Sequence, residues 1–484
     1  MTVRCLVIGW DAADASLVDE MLAAGELPVL QSLQERGTRG PIEALPGLGD
    51  DAHWATFATG LLPGEHGRFH HRQTGDEPYI EAPYRRTRMT DVPFWSTMAA
   101  NGPVASLDVP KSPRGEMAAG SREVIDWLCH GEEQPQPSSQ PPRLAEALTR
   151  DHPVHRPMTC YRTYTDPQDI EAIARQYQEQ VMVRTATILN WWDDQDWDLF
   201  LAVYSESHCM GHHAWNVHDP AHFSHISLPS GIDPVKETYR ALDRELGKLV
   251  DAAGSGTAVV VFSLIGMGAN NEGTYLLDEV LLRLEPPGAA KQAQVRLASR
   301  LRSLTPVFLR RLVPRKMKSM MRIATTRAGL RVYAVQHDAT SGAIRVNLKG
   351  REPQGLVEPG DYDAVLDELE RELRQLVDPD NGRTIVSDVV RVREQYPGPQ
   401  QDIFADLLVV WEQSQYINGA TSPRIGTVKV RRPLPRPGNH RPGGWYVSNR
   451  AEFAPSGVAD LARAIGDLTA SQHGAATAIR SGTR

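Results

Sequence analysis

The sequence is poor in cysteine, with four cysteines in 484 residues. They are Cys5, Cys129, Cys160 and Cys209. No two of them have CxxC or CxxxC spacing, so the pattern indicates neither a disulfide framework nor a thiolate zinc site. A chain without such a framework suits a reduced compartment, and we expect an intracellular, cytoplasmic protein.

Long hydrophobic runs and an excess of positive charge are also missing. No run approaches the roughly 18 apolar residues of a membrane span, so we expect no transmembrane segment. Residues 3–9 are too short for the hydrophobic region of a signal peptide and are better interpreted as a first β-strand. A net charge of -8 argues against general nucleic-acid binding. The oligomeric state stays open, and a homo-oligomer is one of the alternatives.

Short apolar runs alternate along the chain with longer stretches of helical period. The runs predict buried strands at residues 6–9, 104–107, 199–204, 257–263 and 406–411. The longer stretches predict helices at residues 17–36, 169–193, 236–252 and 362–377. This alternation favours an α/β fold with a mostly parallel sheet between layers of helices.

Two histidines follow one of the predicted strands at a spacing that suits a metal. His208 and His212 stand four residues apart, in the segment Glu-Ser-His-Cys-Met-Gly-His after the run 198–204. This spacing places both imidazoles on one face of a helical turn, at a strand end where ligands collect. His440, in Gly-Asn-His-Arg-Pro-Gly-Gly-Trp, is a third candidate. Three neutral imidazoles can hold zinc or another late divalent metal and leave one position open.

Each of these residues also has an ordinary structural interpretation. A HxxxH pair can consist of hydrogen-bonded core histidines. Glu206 is either a further metal ligand or a partner that orients one of the histidines. Asp11 follows the first predicted strand, where a carboxylate projects into the crevice at the carboxyl ends of the strands. The alternative for Asp11 is a cap for the helix that begins near Leu17.

Several motifs occur in order over roughly residues 1 to 450. They are the first strand with Asp11, Thr59-Gly60 with Pro63-Gly64-Glu65-His66-Gly67, Gly211-His212, Leu242–Gly247, Ile344–Glu352 and His440. In their order and spacing, these motifs resemble the alkaline phosphatase superfamily, in its type I phosphodiesterase/nucleotide pyrophosphatase branch. The resemblance implies a three-layer α/β/α sandwich and hydrolysis or transfer at phosphate or sulfate esters. It also implies two zinc ions and attack by a threonine or serine.

The sequence departs from this pattern at the positions that carry the chemistry. Asp50, with Asp51 beside it, stands where the resemblance places the nucleophilic threonine. Leu264 and Ile265 stand where an aspartate and a histidine would bind metal. Neither of those side chains can be a ligand. Asp50 and Asp51 have an alternative interpretation as caps of the following helix.

These departures separate the two metal positions that the resemblance implies. One position keeps three histidines, because His208 replaces an aspartate while His212 and His440 remain. The other position keeps only Asp11 as a ligand, with Asp50 as a second candidate. One or two carboxylates without an imidazole bind zinc weakly. We therefore expect a single divalent metal, zinc first, with iron, manganese or copper as alternatives.

Three reactions remain open for such a site on a small anionic ester. Water activated by the metal attacks directly, with Asp50 or Asp51 as general base and Asp11 orienting the water. Alternatively, a second substrate attacks, which makes a transferase of phosphoryl, sulfuryl or sulfamoyl groups. In the third, Glu206 joins the three histidines, as in mononuclear iron, copper or manganese sites. We favour transfer or another specialised tailoring reaction, because the nucleophile and the second metal position are missing.

Other classes and contacts stay open beside this interpretation. A non-hydrolytic or redox metalloenzyme and a catalytically silent scaffold are the alternatives for the whole chain. Asn270 and Asn271 follow a glycine turn, where they either contact substrate or serve as turn residues. The sequence does not distinguish phosphorus from sulfur chemistry, because both centres present tetrahedral anionic oxygens.

The expected organisation is one core with a basic insertion. The core comprises residues 1–284 and 341–470, with a mobile loop at 131–143 that is rich in Pro, Gln, Ser and Glu. A basic block at 291–331 predicts a helical cap over residues 285–340, either a lid for an anionic substrate or a solvated face. A membrane surface or an interface are its other interpretations. Residues 471–484 predict a disordered tail.

Overall fold

A computed structural model describes most of the chain. The described residues are 2–74, 79–84, 89, 91–128, 136–152, 160, 162–192, 194–286, 326–337, 340–430 and 436–481, with side chains to residue 472. Most of the basic block at 291–331 lies outside these residues, and so does most of the cap expected at 285–340.

Eighteen strands lie within the described residues. They are β1 Val3–Trp10, β2 Thr38–Ile42, β3 Arg72–Thr74, β4 Glu81–Pro83, β5 Val104–Leu107, β6 Arg122–Ile125, β7 Ser138–Gln140, β8 Trp197–Tyr204, β9 Ala258–Ser263, β10 Gly266–Ala269, β11 Val332–Val335, β12 Ser341–Val346, β13 Val386–Arg391, β14 Leu407–Trp411, β15 Ala420–Ser422, β16 Gly426–Val428, β17 Gly438–Arg441 and β18 Gly444–Ser448.

Thirteen α-helices lie within the same residues. They are α1 Ala15–Ala23, α2 Pro28–Arg36, α3 Asp50–Thr59, α4 Pro63–His66, α5 Phe94–Met98, α6 Leu144–Asp151, α7 Pro167–Trp192, α8 Glu206–His218, α9 Pro234–Ala253, α10 Leu277–Leu284, α11 Tyr362–Arg374, α12 Val392–Gln395 and α13 Val458–Ser481. None of them combines the length and the apolar character that a membrane-crossing helix needs.

The central sheet has eight strands in the order β2-β18-β9-β1-β8-β5-β6-β7. The five strands from β9 to β6 run parallel, whereas β2, β18 and β7 are antiparallel to their neighbours. All six residues of β9 are buried, as expected for a parallel strand covered on both faces. The mostly parallel sheet that the sequence predicts is confirmed.

Alternate residues of β1 point to two separate hydrophobic cores. Leu6, Ile8 and Trp10 pack in one core with residues of α1, α2, α7 and α9. Cys5 and Val7 pack in another core with residues of α3, α5 and α13. Because successive side chains of a strand face opposite sides of a sheet, the helices form two layers with the sheet between them. The expected α/β/α sandwich is therefore confirmed.

A second, fully antiparallel sheet follows in the chain. Its order is β11-β12-β14-β13, and one of its faces packs against α10 and α11. The strand predicted at 406–411 belongs here rather than to the central sheet. An apolar run indicates burial but not which strand will be its neighbour, so the sequence alone could not place it.

Three other expectations differ from the structure. The single helix predicted at 17–36 is wrong, because the chain forms α1 and α2 with Gly25 at φ 71° between them and Pro28 opening α2. Within the loop expected at 131–143, residues Ser138–Gln140 form the edge strand β7. The tail expected to be disordered from 471 continues α13 as far as Ser481.

A neutral histidine fixes the corner between α3 and α4. The backbone N–H of Arg68 donates to Nδ1 of His66 at 3.0 Å, so the proton of this imidazole is on Nε2 and points to Thr56 Oγ1 at 3.0 Å. Burial and the Arg68 guanidinium lower the pKa of His66 to about 3. His66 therefore keeps a single neutral tautomer in the folded protein.

This histidine predicts a loss of stability in mild acid. In the unfolded chain the imidazole takes up a proton near pH 6.5, whereas folded His66 does not until about pH 3. The free energy of unfolding should therefore fall as the pH drops below 6.5, by about 1 kcal/mol per buried histidine between about pH 7 and about pH 5.5. Urea unfolding of the wild type and of His66→Gln at both pH values measures this. Equal pH dependence in the two proteins would contradict it.

Candidate functional site

Three imidazoles converge at the carboxyl end of the central sheet. His208 and His212 lie one turn apart on α8, which begins two residues after β8 ends. His440 lies on β17, the partner of β10 in a two-stranded sheet. The Nε2 atom of His208 is 2.7 Å from that of His440 and 3.1 Å from that of His212, and the third distance is 3.2 Å. All three side chains are buried.

A backbone carbonyl sets the orientation of one ring. Nδ1–H of His212 donates to the carbonyl oxygen of Gly438 at 2.8 Å, so Nε2 of His212 carries a lone pair. A Cβ at position 438 would collide with the carbonyl oxygen of Gly211. Gly438 therefore permits the close approach of α8 and β17 that brings the three rings together.

The three nitrogens have the spacing and chemistry of a divalent-metal site. A tetrahedral ion with bonds of about 2.0–2.1 Å to nitrogen holds its donors roughly 3.3 Å apart, close to the separations seen here. Lone pairs at this spacing repel one another unless a proton or a cation lies between them. The residues fit a divalent ion held by three imidazoles, with the carbonyl of Gly438 fixing the tautomer of one ligand.

Asp50 lies at the edge of this cluster, at the first residue of α3. Its Oδ2 atom is 4.0 Å from Nε2 of His208 and accepts a hydrogen bond from the Lys111 ammonium. The N-cap of α3 is Gly49, so neither Asp50 nor Asp51 caps this helix. Carboxylates in a first turn interact favourably with the helix dipole.

Asp51 is enclosed by cations. Nη2 of Arg68 donates to Oδ1 of Asp51 at 2.6 Å, and Lys111 Nζ lies 3.4 Å from Oδ2. Burial opposes the charge of Asp51, but Lys111, Arg68 and His71 outweigh it and hold its pKa well below the usual range. Burial likewise opposes the charge of Lys111, but Asp50 and Asp51 raise the pKa of this ammonium above its ordinary value.

Asp11 is buried and tied to both helices of the site. Its Oδ1 atom accepts a hydrogen bond from Trp54 Nε1 at 3.0 Å, and its backbone carbonyl accepts one from Ser207 Oγ at 2.7 Å. Trp54 lies one turn after Asp50 on α3, and Ser207 precedes His208. The cap of α1 is Asp14, whose Oδ1 accepts from the N–H of Leu17, so the capping alternative for Asp11 is wrong.

Glu206 belongs to a buried ion cluster beside the three imidazoles. Nη2 of Arg184 donates to Oε1 of Glu206 at 3.1 Å, and Nη1 of the same guanidinium donates to Asp108. Burial raises the pKa of Glu206, although Arg184 opposes this shift. The structure thus places Glu206 two residues before a member of the imidazole cluster and in contact with Arg184.

The other residues singled out from the sequence lie in structural contacts. The side-chain amide of Asn270 donates to the carbonyl of Arg436, and that of Asn271 donates to the carbonyl of Gln413. Leu264 and Ile265 are buried in the hydrophobic cores on the two faces of the central sheet. The position that would carry an Asp-His metal pair is therefore filled by packing residues.

Sequence reasoning missed four charged residues around the site. They are Arg68, Asp108, Lys111 and Arg184. Asp108 and Lys111 could have been flagged, because they follow β5 where the carboxyl ends of parallel strands meet. No local sequence pattern indicates Arg68 or Arg184, because their carboxylate partners are distant in the chain. Asp51 is 17 residues from Arg68, and Glu206 is 22 residues from Arg184.

Comparison with known proteins decides the family. Residues 5–432 match Type I phosphodiesterase / nucleotide pyrophosphatase. The chain belongs to this family. The resemblance expected from the motifs is confirmed, and membership supports a metal-dependent enzyme of the hydrolase class that acts on phosphoryl-type groups. No curated protein sequence matches this phosphodiesterase family member.

Two solved structures of one enzyme share the fold of this phosphodiesterase family member at low sequence identity. Phosphonoacetate hydrolase from Sinorhizobium meliloti 1021, in complex with phosphonoacetate, has a TM-score of 0.56 at 13% identity, with 96% of each chain covered. Its complex with phosphonoformate has a TM-score of 0.54 at 13% identity and the same coverage. Murine ectonucleotide pyrophosphatase / phosphodiesterase 5 has a TM-score of 0.48 at 12% identity, covering 96% of this chain and 95% of that one.

The buried ion cluster predicts a strong dependence on Arg184. Replacing it by methionine leaves Asp108 and Glu206 buried without their cation, which should lower the free energy of unfolding by about 3–5 kcal/mol. Urea unfolding monitored by tryptophan fluorescence measures this loss. The control is Arg463→Met on α13, whose side chain is 69% exposed in its pair with Asp460 and should cost less than about 1 kcal/mol. Similar losses of unfolding free energy in the two variants would contradict the prediction that the buried Arg184 cluster stabilises the fold more than the exposed Arg463 pair does.

Proposed function

We propose that this protein transfers a phosphoryl, sulfuryl or sulfamoyl group from a small anionic ester to an acceptor, using one divalent metal. The observation that carries the proposal is the placement of Asp50. A carboxylate stands 4.0 Å from the imidazole cluster at the position where the family pattern has a nucleophilic hydroxyl. An aspartate at that position cannot form the phosphorylated threonine through which plain phosphomonoester hydrolysis would proceed.

The metal in this proposal is held by His208, His212 and His440, and zinc is the first expectation. Glu206 stays outside the ligand set because its carboxylate contacts Arg184. Asp11 positions α3 through Trp54 rather than binding the ion. A divalent ion held by three imidazoles supplies a Lewis acid for an ester oxygen and acidifies bound water, to a pKa of about 7 in the best-known case.

Asp50 accepts the proton of the attacking group. The ammonium of Lys111 favours the carboxylate form of Asp50, so this side chain is ready to take a proton from a hydroxyl. Asp51 holds Arg68 and Lys111 in place through its two oxygens. The attacking hydroxyl belongs to the acceptor substrate, or to water where no acceptor is bound.

Group transfer follows from the chemistry of the missing nucleophile. A serine or threonine would form a covalent intermediate and split the reaction into two steps. With a carboxylate acting as base, the acceptor gives its proton to Asp50 and attacks the tetrahedral centre in a single step, while the ester bond breaks and the leaving oxygen takes a proton from water to depart as an alcohol. In a single displacement the group passes directly to the acceptor and is never bonded to the enzyme.

The proposal predicts one metal ion per chain that depends on all three histidines. Untagged wild type should contain about one zinc per chain by mass spectrometry, and His208→Ala, His212→Ala and His440→Ala should contain almost none, because two imidazoles bind zinc weakly. His225→Ala is the matched control, since this exposed histidine lies in the next loop and should leave the metal content unchanged.

Two results would contradict the metal site. The first is wild-type protein without metal even after incubation with excess zinc. The second is a full metal complement in any of the three cluster variants. One iron or copper per chain would instead favour the redox alternative. Protein with confirmed metal is then screened with phosphate, sulfate and sulfamate esters, and with phosphonoacetate because the similar hydrolase binds it.

Asp50→Asn tests the general base. The amide keeps the shape of the side chain but accepts a proton poorly, so turnover of the best ester from the screen should fall by about 10² to 10⁴. Metal content should stay the same, because Asp50 is not a ligand in this proposal. Turnover within about threefold of wild type would rule out Asp50 as the base.

A further inference from the structure

We propose that the Lys111 ammonium does the work of a second metal ion, and that it binds an anionic oxygen of the transferred group. This inference rests on the proposed function and adds a catalytic residue to it. It is carried by the position of Lys111, the rigidity of its surroundings and the placement of Asp50 between Lys111 and the imidazole cluster.

The position of Lys111 is fixed through its backbone as well as its side chain. Lys111 lies four residues beyond the end of β5, and Nη1 of Arg68 donates to its carbonyl oxygen at 3.0 Å. Its φ is 56°, and Asp108 at the start of the same turn has φ 54°. Two non-glycine residues in the left-handed region cost free energy and persist only where the surroundings hold them.

Hydrogen bonds and an ion pair fix the residues of this turn. The carboxylate of Asp108 accepts hydrogen bonds from the backbone N–H groups of Trp127 and Leu128 at 2.8 and 2.9 Å, and it is also paired with Arg184. Ser112 Oγ donates to the carbonyl of Val109 at 3.1 Å. The turn is thus a rigid support that aims one ammonium at the site.

Asp50 lies between the imidazole cluster and the ammonium of Lys111. On one side its Oδ2 atom is 4.0 Å from Nε2 of His208, in the imidazole cluster, and on the other it accepts from Lys111. Enzymes with two metal ions place them about 3.5–4 Å apart, so that together they stabilise the attacking and leaving oxygens. Here the imidazole cluster would hold one ion and the Lys111 ammonium would take the place of the other, which needs no ligand side chains at the positions of Leu264 and Ile265.

Lys111 has the donors that this role needs. An ammonium carries three N–H donors. Within the described part of the chain, two of them are directed at Asp50 and Asp51. The third can donate to an oxygen of a phosphate or sulfate group that lies against Asp50. Its charge offsets the charge that develops on that group during transfer.

Variants of Lys111 test this with inorganic phosphate and Mn²⁺ as probes. Zinc-loaded wild type should bind phosphate and take up no second ion from excess Mn²⁺. Lys111→Ala should bind phosphate about tenfold more weakly or worse, since a charge-assisted hydrogen bond is lost. It should also bind about one Mn²⁺ per chain, because Asp50 and Asp51 lose their shared ammonium, and this ion should restore phosphate affinity. Lys111→Arg should behave as wild type.

Isothermal titration calorimetry and metal analysis give the readouts without any assumption about the natural substrate. Unchanged phosphate affinity in Lys111→Ala contradicts the inference, and so does a loss that Mn²⁺ does not restore. Should Lys111→Ala fail to fold, the wild type decides, because uptake of one Mn²⁺ in addition to the zinc by wild type also overturns the inference. All measurements use protein shown to hold one zinc, so failure here leaves the three-histidine proposal standing, whereas absence of zinc defeats that proposal itself.

Discussion

The contact between α8 and β17 is the constraint on which the site depends. The hydrogen bond from His212 Nδ1–H to the carbonyl of Gly438 joins two elements more than 200 residues apart in the chain. It needs a glycine at 438, because the carbonyl of Gly211 leaves no room for a Cβ. Without this approach, two imidazoles on a helix and one on a strand would be unrelated side chains. With it, their Nε2 atoms share a space that suits one ion.

Charge compensation is the second requirement of this crevice. The carboxyl ends of β1, β5 and β8 bring Asp11, Asp108 and Glu206 into the interior, and buried carboxylates are costly unless they are paired. Arg184, from the long helix α7, pairs with Asp108 and Glu206 together. On the other side of the site, Lys111 and Arg68 compensate the first turn of α3. Ion pairs on both sides of the imidazole cluster therefore compensate the buried carboxylates.

Much of the fold follows from periodicity in the sequence, whereas the partners of its charged residues do not. Apolar runs located β1, β5, β8 and β9 correctly, because parallel strands buried on both faces leave a continuous hydrophobic signal. The same signal could not assign β14 to the second sheet. Helical spacing and family motifs in the sequence predicted that His208, His212 and His440 form one site. The position of Lys111 after β5 was a signal in the sequence, but its contact with Asp51, 60 residues earlier in the chain, was not, because no local pattern encodes it.

The proposed ligand set changes what the site can bind. Carboxylate ligands neutralise part of the charge of a metal ion, whereas three imidazoles leave both of its positive charges uncompensated. Asp50 and Asp51 are already matched by Lys111 and Arg68, so they do not offset the ion either. The positive charge that would remain favours a tetrahedral anion over a neutral ligand. A single ion, an ammonium and a carboxylate base can therefore meet the needs of group transfer with one metal fewer than the family pattern implies.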